Sequence, residues 1–142
     1  MTDGMGGAEP KAPVDLGRRV RWERDKLGPL LIFDCSNNNR DEAYALLDAF
    51  MAAVLPQPPA SVRVLVDLEN AVHETALTRR WKEAVLEQDT RIAKAALLGI
   101  TSGMKVVIAA YRFYARVRGV EIDTKMVYFE DEARARAWLE GR

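Results

Sequence analysis

The sequence has 142 residues, the length of one ordinary domain, and its 21 basic side chains balance its 21 acidic ones. A chain of this length buries enough apolar surface to fold without disulfides or structural metals. Proteins that bind nucleic acid or anionic membranes usually carry a basic excess. The balanced charge therefore argues against a nucleic acid as the obligatory partner.

The remaining composition indicates a cytoplasmic protein. Cys35 is the only cysteine, so an intrachain disulfide is impossible and nothing indicates an oxidising compartment. Residues 1–16 are rich in Gly and Pro and have no apolar core, which predicts a mobile tail and not a signal peptide. No apolar run reaches the ~18 residues of a membrane span. Residues 17–142 are expected to form one domain.

The first half of the chain predicts an edge hairpin, a helix and a buried strand. Weak alternation over 18–24 and the apolar run 30–33 flank a Leu-Gly-Pro turn signal, which is typical of a hairpin. Asn39 and Glu42 stand at the spacing of a helix capping box, and Pro56 ends the helix that follows. The β-branched run 62–68 predicts a strand buried on both faces. The predicted helix has one core-facing stripe, formed by Ala43, Leu46, Leu47, Phe50 and Val54.

The second half alternates between helices and strands. We expect helices over 74–88, 103–116 and 131–139 and strands over 93–100 and 126–129, with Ala133, Ala137 and Trp138 of the last helix facing inward. The order ββαβαβαβα predicts an α/β fold with a mixed, mostly parallel sheet and an antiparallel edge hairpin.

Two stretches resemble the SpoIIAA-like family of bacterial proteins, often described as STAS or CRAL-TRIO-like domains. They are 82–119, KEAVLEQDTRIAKAALLGITSGMKVVIAAYRFYARVRG, and 127–139, VYFEDEARARAWL. Strands that end in Asp34-Cys35-Ser36 and Val66-Asp67-Leu68 match earlier family elements. Together the matches cover 18–139. The family's strand-to-helix turn matches residues 99–103, and its closing pattern matches Phe129, Asp131, Ala133, Ala137, Trp138 and Leu139.

The resemblance implies a single STAS-like domain that acts as a non-enzymatic interaction or regulatory module through protein contacts. The comparison with CRAL-TRIO domains implies an alternative, a binding protein for a lipid-like or other apolar small molecule. STAS domains that antagonise anti-sigma factors carry a phosphorylated serine in an Asp-Ser-Ser-Gly turn. The corresponding segment 70–76, NAVHETA, has no serine. Thr75 is the remaining candidate acceptor, so the usual phosphorylation switch is not expected.

No catalytic centre or cofactor is expected. His73 is the only histidine, which excludes a histidine metal cluster and leaves only Cys35 or a serine as its nucleophilic partner. Asp34 and Asp67 end two strands predicted to be neighbours, at the sheet edge where α/β folds bind ligands. They suit either a magnesium site or two aspartates that each hold their own loop, and we favour the loops because no partner stands at a known spacing.

The turn 99–103 precedes a helix, so its amides suit an anion. Its candidate residues are Gly99, Thr101, Ser102 and Gly103. The turn matches neither a Walker loop nor a dinucleotide fingerprint, and a strand-to-helix connection needs small residues in any case.

The third long helix differs from the others because it carries two apolar stripes. At about 100° per residue, its core stripe consists of Met104, Val107, Ile108, Tyr111 and Ala115. The nearly opposite stripe consists of Val106, Ala110, Phe113 and Val117. An outer apolar stripe needs cover, and three kinds remain open: another helix of the domain, a second copy in a homodimer, or a bound amphiphile. We expect Phe113 in a partner surface and Tyr111 in the core.

Overall fold

The computed structural model describes residues 16–72, 74–88, 91–119 and 125–141. The tail predicted for residues 1–16 lies outside this range except for Leu16, which begins a short helix and packs against the core. The elements in chain order are α1 (Leu16–Arg19), β1 (Val20–Asp25), β2 (Gly28–Asp34), α2 (Arg40–Val54), β3 (Val62–Asp67), α3 (Thr75–Gln88), β4 (Ile92–Leu98), α4 (Ser102–Val117), β5 (Lys125–Phe129) and α5 (Glu132–Leu139).

The five strands form one sheet in the spatial order β1-β2-β3-β4-β5. β1 and β2 pair antiparallel as a hairpin, and every other neighbouring pair is parallel. The predicted α/β class, the mixed sheet and the edge hairpin are therefore confirmed. β4 lies inside the sheet and β5 forms its second edge. None of the described helices is long and apolar enough to cross a bilayer.

Both faces of the sheet carry a core. The larger core lies on the side of α1, α2, α3 and α4, where Phe33 of β2 stacks on Phe50 of α2 with ring centroids 4.6 Å apart. The second core lies under α5 alone. In α2 the capping box between Asn39 and Glu42 is present, and the five residues of the predicted stripe are the ones buried. A single apolar stripe that repeats every 3.6 residues is thus enough to predict which side of this helix faces the core.

Three sequence expectations differ from the structure. α1 was not predicted, because four residues are too short to show helical periodicity. β4 ends at Leu98 and not at residue 100, because Gly99 turns the chain with a φ of 72°. In α5, Ala133 is exposed, whereas Ala135 and Leu139 are buried. Alanine is a weak marker of burial. Side chains two residues apart on a helix point in nearly opposite directions, so Ala133 faces solvent where Ala135 faces the core.

An ion pair shielded from solvent joins the hairpin turn to the middle of the sheet. Arg63 of β3 donates two hydrogen bonds of 2.7 Å to the carboxylate of Asp25, and the two side chains are 11% and 14% exposed. The same guanidinium donates to the carbonyls of Pro29 and Leu139, both at 3.0 Å. Arg63 therefore ties β1, β2 and the end of α5 to β3.

Replacing Arg63 with methionine should lower the free energy of unfolding by about 3 kcal/mol, because it leaves a shielded carboxylate without its cation. Chemical denaturation at neutral pH measures this. Arg80→Met is the matched control, because Arg80 forms an ion pair with Asp48 but is 48% exposed; it should cost about 0–1 kcal/mol. Equal losses in the two variants would contradict the role given to Arg63.

The ion pair of Arg63 and Asp25 also predicts that the free energy of unfolding depends on pH. Hydrogen bonds from Arg63 lower the pKa of the Asp25 carboxyl. A carboxyl whose pKa is lower in the folded chain stabilises the fold above its unfolded pKa of about 3.9 and loses that contribution as pH falls through the folded pKa. The unfolding free energy of the wild type should therefore exceed that of Asp25→Asn at neutral pH, and the difference should shrink below about pH 4. A difference that does not change with pH would refute this.

Candidate functional site

The candidate site is built around α4. Its N-terminus is capped by Thr101, whose hydroxyl oxygen accepts a hydrogen bond of 3.2 Å from the backbone N–H of Met104. Tyr111 and Ala115 are buried on its inner face, as expected for the core stripe. This cap fixes where the helix begins and so which side chains face the sheet.

An apolar cavity of about 180 Å³, partly open to solvent, lies between the inner face of α4, the sheet and α3. β3 and β4 form its floor, and α3 and α4 form its walls. Among the described residues, its lining consists of Phe50, Val64, Val66, Leu68, Val72, Leu77, Thr78, Trp81, Ile92, Ala95, Leu97, Met104, Val107, Ile108, Tyr111 and Met126.

The lining suits an uncharged apolar guest. None of these side chains carries a charge at neutral pH, and nitrogen or oxygen occurs only in those of Thr78, Trp81 and Tyr111. The hydroxyl oxygen of Tyr111 is itself buried. Placing an ionic group in such a cavity costs far more than placing a hydrocarbon there. The cavity therefore selects for apolar molecules with few polar atoms.

Sequence reasoning missed this cavity. It is lined by residues that the sequence patterns place in the core, such as Val64, Leu77 and Tyr111. Hydrophobic spacing shows which side of an element faces inward, and it carries no information on whether facing side chains meet or leave a space. We find no sequence signal that would have revealed the cavity.

The outer face of α4 is apolar and exposed. Val106, Phe113 and Val117 are 68%, 65% and 68% exposed, and Ala110 between them is exposed as well. Another helix of the domain was the first of the three expected covers, and no helix among the described residues covers this face. A second copy and a bound amphiphile are the other two.

The two strand-end aspartates stand side by side, as expected. Asp34 and Asp67 are direct neighbours in the register of β2 and β3. Asp34 accepts hydrogen bonds from the backbone N–H and the hydroxyl of Ser36, at 3.0 and 2.5 Å, and Asp67 accepts one of 3.0 Å from the N–H of Glu69. Burial, with Asp34 nearby, raises the pKa of Asp67. Each carboxylate holds its own loop, and the described residues contain no metal-binding group of three His, Cys, Asp or Glu side chains.

The turn 99–103 lies in surroundings that disfavour an anion. Gly99 and Ile100 line an open depression of about 410 Å³ together with four acidic residues, Asp67, Glu69, Glu130 and Glu132. Thr101 already accepts the hydrogen bond of one amide, and Ser102 and Gly103 form the exposed first residues of α4. Carboxylates around the turn repel the negative charge that its amides would attract.

Packing explains the need for glycine at position 99. Its φ of 72° is a conformation that favours glycine, and a Cβ atom there would lie 2.5 Å from the backbone nitrogen of Glu69. At Gly103 the nearest heavy atom to such a Cβ is 3.9 Å away. The two glycines of the turn therefore have different roles, and only the first is required by the fold.

The other candidate residues do not assemble with the cavity. Cys35 is buried, and burial raises the pKa of its thiol, which disfavours the nucleophilic thiolate. His73 lies outside the described residues. Thr75 is the exposed first residue of α3, and the neighbouring Glu74 accepts hydrogen bonds from Arg40 and Tyr44, at 3.0 and 3.3 Å.

Gly99→Ala should lower the free energy of unfolding by about 2 kcal/mol or more, because the new methyl group meets backbone and the residue keeps a left-handed conformation. Thermal denaturation measures the loss. Gly103→Ala is the matched control in the same turn and should leave stability unchanged or slightly higher, because alanine favours helix. Similar effects at both positions would contradict the packing role of Gly99.

Comparisons with protein-family models, curated proteins and solved structures gave no match. Function is therefore inferred from the cavity under α4 and from the exposed outer face of that helix.

Proposed function

We propose that this domain is a non-enzymatic binding module that holds a small apolar molecule in the cavity between α3, α4 and the sheet. The single observation that carries the proposal is the uncharged lining of a space of about 180 Å³ inside the larger core. Concave apolar spaces with a few polar groups are the usual form of small-molecule sites in proteins. The alternative implied by the CRAL-TRIO comparison is thus the function that the geometry supports best.

The volume limits the class of ligand. An apolar cavity of about 150 Å³ stays dry and binds benzene, whereas drug-sized ligands occupy roughly 300–1,000 Å³. The cavity here, at about 180 Å³, matches an aromatic ring or a short acyl chain. A full-length lipid tail exceeds this space, so the ligand is a small hydrophobic molecule or one end of a larger one.

The chemistry of the described residues supports binding without catalysis. Acid–base or nucleophilic catalysis needs an ionisable or activated group within reach of the bound molecule. The described lining offers the hydroxyl groups of Thr78 and Tyr111 and no charged side chain that would activate them. The two aspartates at the sheet edge hold loops. Cys35, which directly follows β2, is buried in the larger core. The apolar lining thus favours a hydrophobic guest.

Membership of the SpoIIAA-like, STAS-type family is part of the proposal. An antiparallel edge hairpin joined to parallel strands with intervening helices is consistent with it. The interaction module implied by that family is the second candidate function. The exposure of Phe113 and its neighbouring valines favours it, because monomers seldom expose contiguous apolar surface without a use for it.

Binding of benzene tests the first candidate. Benzene should raise the melting temperature of the wild-type protein in a dose-dependent way, since a ligand that binds only the folded state stabilises it by mass action. Val107→Phe places a ring in the cavity and should abolish this rise. Val106→Phe is the matched control, because Val106 is the adjacent residue on the exposed face, and it should keep the rise.

Two outcomes would refute the proposed site. One is a wild-type melting temperature that benzene leaves unchanged across its soluble range. The other is an equal response in Val107→Phe and Val106→Phe, which would place any bound benzene elsewhere. Amide NMR shifts localised to α3, α4 and β4 during the same titration would support the site.

A further inference from the structure

The outer stripe of α4 has the spacing of a helix-pairing seam. Val106, Ala110, Phe113 and Val117 are separated by four, three and four residues, the alternation that places apolar side chains on one line of a helix packed against another. All four side chains are exposed. The stripe therefore has the spacing of one side of a helix–helix contact.

We propose that this stripe packs against the same stripe of a second copy, with the two α4 helices antiparallel. The proposal names the partner for the second candidate function and does not depend on occupancy of the cavity. In the antiparallel register centred between Tyr111 and Arg112, Ala110 faces the partner's Phe113 and Val106 faces the partner's Val117. A two-fold axis generates both contacts twice.

The side-chain sizes favour this register. The large ring of Phe113 lies opposite the smallest residue of the stripe, Ala110, in both halves of the pair. Two valines of equal size form each outer layer. Alternation of large and small residues across facing positions is the arrangement that fills a helix interface. A parallel pairing instead sets Phe113 against the partner's Phe113 and Ala110 against the partner's Ala110, which crowds one layer and leaves a gap in the next.

The charges around the helix favour the same orientation. One flank of α4 carries Lys105, Arg112 and Arg116, and Lys105 lies 5.2 Å from the ring centroid of Tyr128, which places that flank beside β5. β5 leads into the acidic residues 130–132 at the edge of the sheet where α4 begins, since Leu98 and Phe129 pair there. Acidic residues therefore lie near the start of α4, where the helix itself carries Lys105, and Arg116 lies in its last turn.

Antiparallel pairing brings the basic end of one helix to the acidic end of the other. Arg116, in the last turn of α4, then lies nearer to residues 130–132 of the second copy than to those of its own copy, and opposite charges arranged in this way favour this orientation. A helix of 16 residues is about 24 Å long, so this contact is smaller than a standard interface and we expect a weak, reversible dimer.

Sedimentation equilibrium over a range of concentrations tests the dimer. The wild-type protein should show a monomer–dimer equilibrium, and Phe113→Asp should raise its dissociation constant at least about 30-fold, as for an interface hot spot. Leu27→Asp is the control, because Leu27 is also exposed, at 60%, but lies in the hairpin turn. It should dimerise like the wild type. Circular dichroism checks that each variant is folded.

Cysteine pairing tests the orientation and needs no disruptive variant. Val106→Cys and Val117→Cys proteins should form a mixed disulfide dimer when combined under mild oxidation, at several times the rate of either protein alone. Cys35 is buried and does not compete. Faster pairing within each single variant would overturn the antiparallel register.

Other results would overturn the dimer itself. A wild-type protein that stays monomeric at millimolar concentration would do so, as would undiminished dimerisation of folded Phe113→Asp. Binding of a monomeric wild type to phosphatidylserine vesicles, lost in Phe113→Asp, would assign the face to a membrane. The benzene response of the wild type is independent of these outcomes, so failure of the dimer and failure of the cavity site are distinguishable.

Discussion

The fold depends on the burial of strands β2, β3 and β4 on both faces. Leu30, Leu31, Ile32 and Phe33 of β2 are all buried, so successive side chains on opposite faces both require cover. The cover is unequal. α5, of eight residues, lies over one face, and the longer helices α2, α3 and α4 lie over the other. The larger layer leaves the space that we assign to a ligand.

α4 contributes to both surfaces for which we propose a function. Its inner face lines the apolar cavity, and its outer face presents valine and phenylalanine side chains to solvent. A helix with apolar residues on both sides gains stability from cover on both sides. A guest under the inner face and a second copy on the outer face would each supply such cover.

Local patterns predicted those parts of the fold that depend on local chemistry. The capping box of Asn39 and Glu42 set the start of α2, and the neighbouring aspartates 34 and 67 followed from the parallel order of their strands. Of the residues predicted to face inward on α5, Ala133 is exposed, whereas Trp138 packs against the second core. That Phe113 and Tyr111 lie on opposite sides of α4 followed from helical angles alone.

The cavity could not be predicted, because it depends on how far α3 and α4 lie from the sheet. That distance results from the packing of side chains contributed by six separate elements, and binary patterning does not encode it. Phe50 and Trp81, whose ring centroids lie 6.1 Å apart, are two of the lining residues. Neither residue differs in sequence pattern from an ordinary core residue. The cavity is thus a property of tertiary packing and not of a motif.

A crystal structure determined under xenon pressure tests the central claim most directly, because xenon enters dry apolar cavities of this size. The account predicts xenon density between β4, α3 and α4, in contact with Ala95, Leu77 and Val107, with the surrounding side chains unmoved. A cavity that has collapsed, or that holds ordered water and excludes xenon, would contradict the assignment of this space to an apolar ligand.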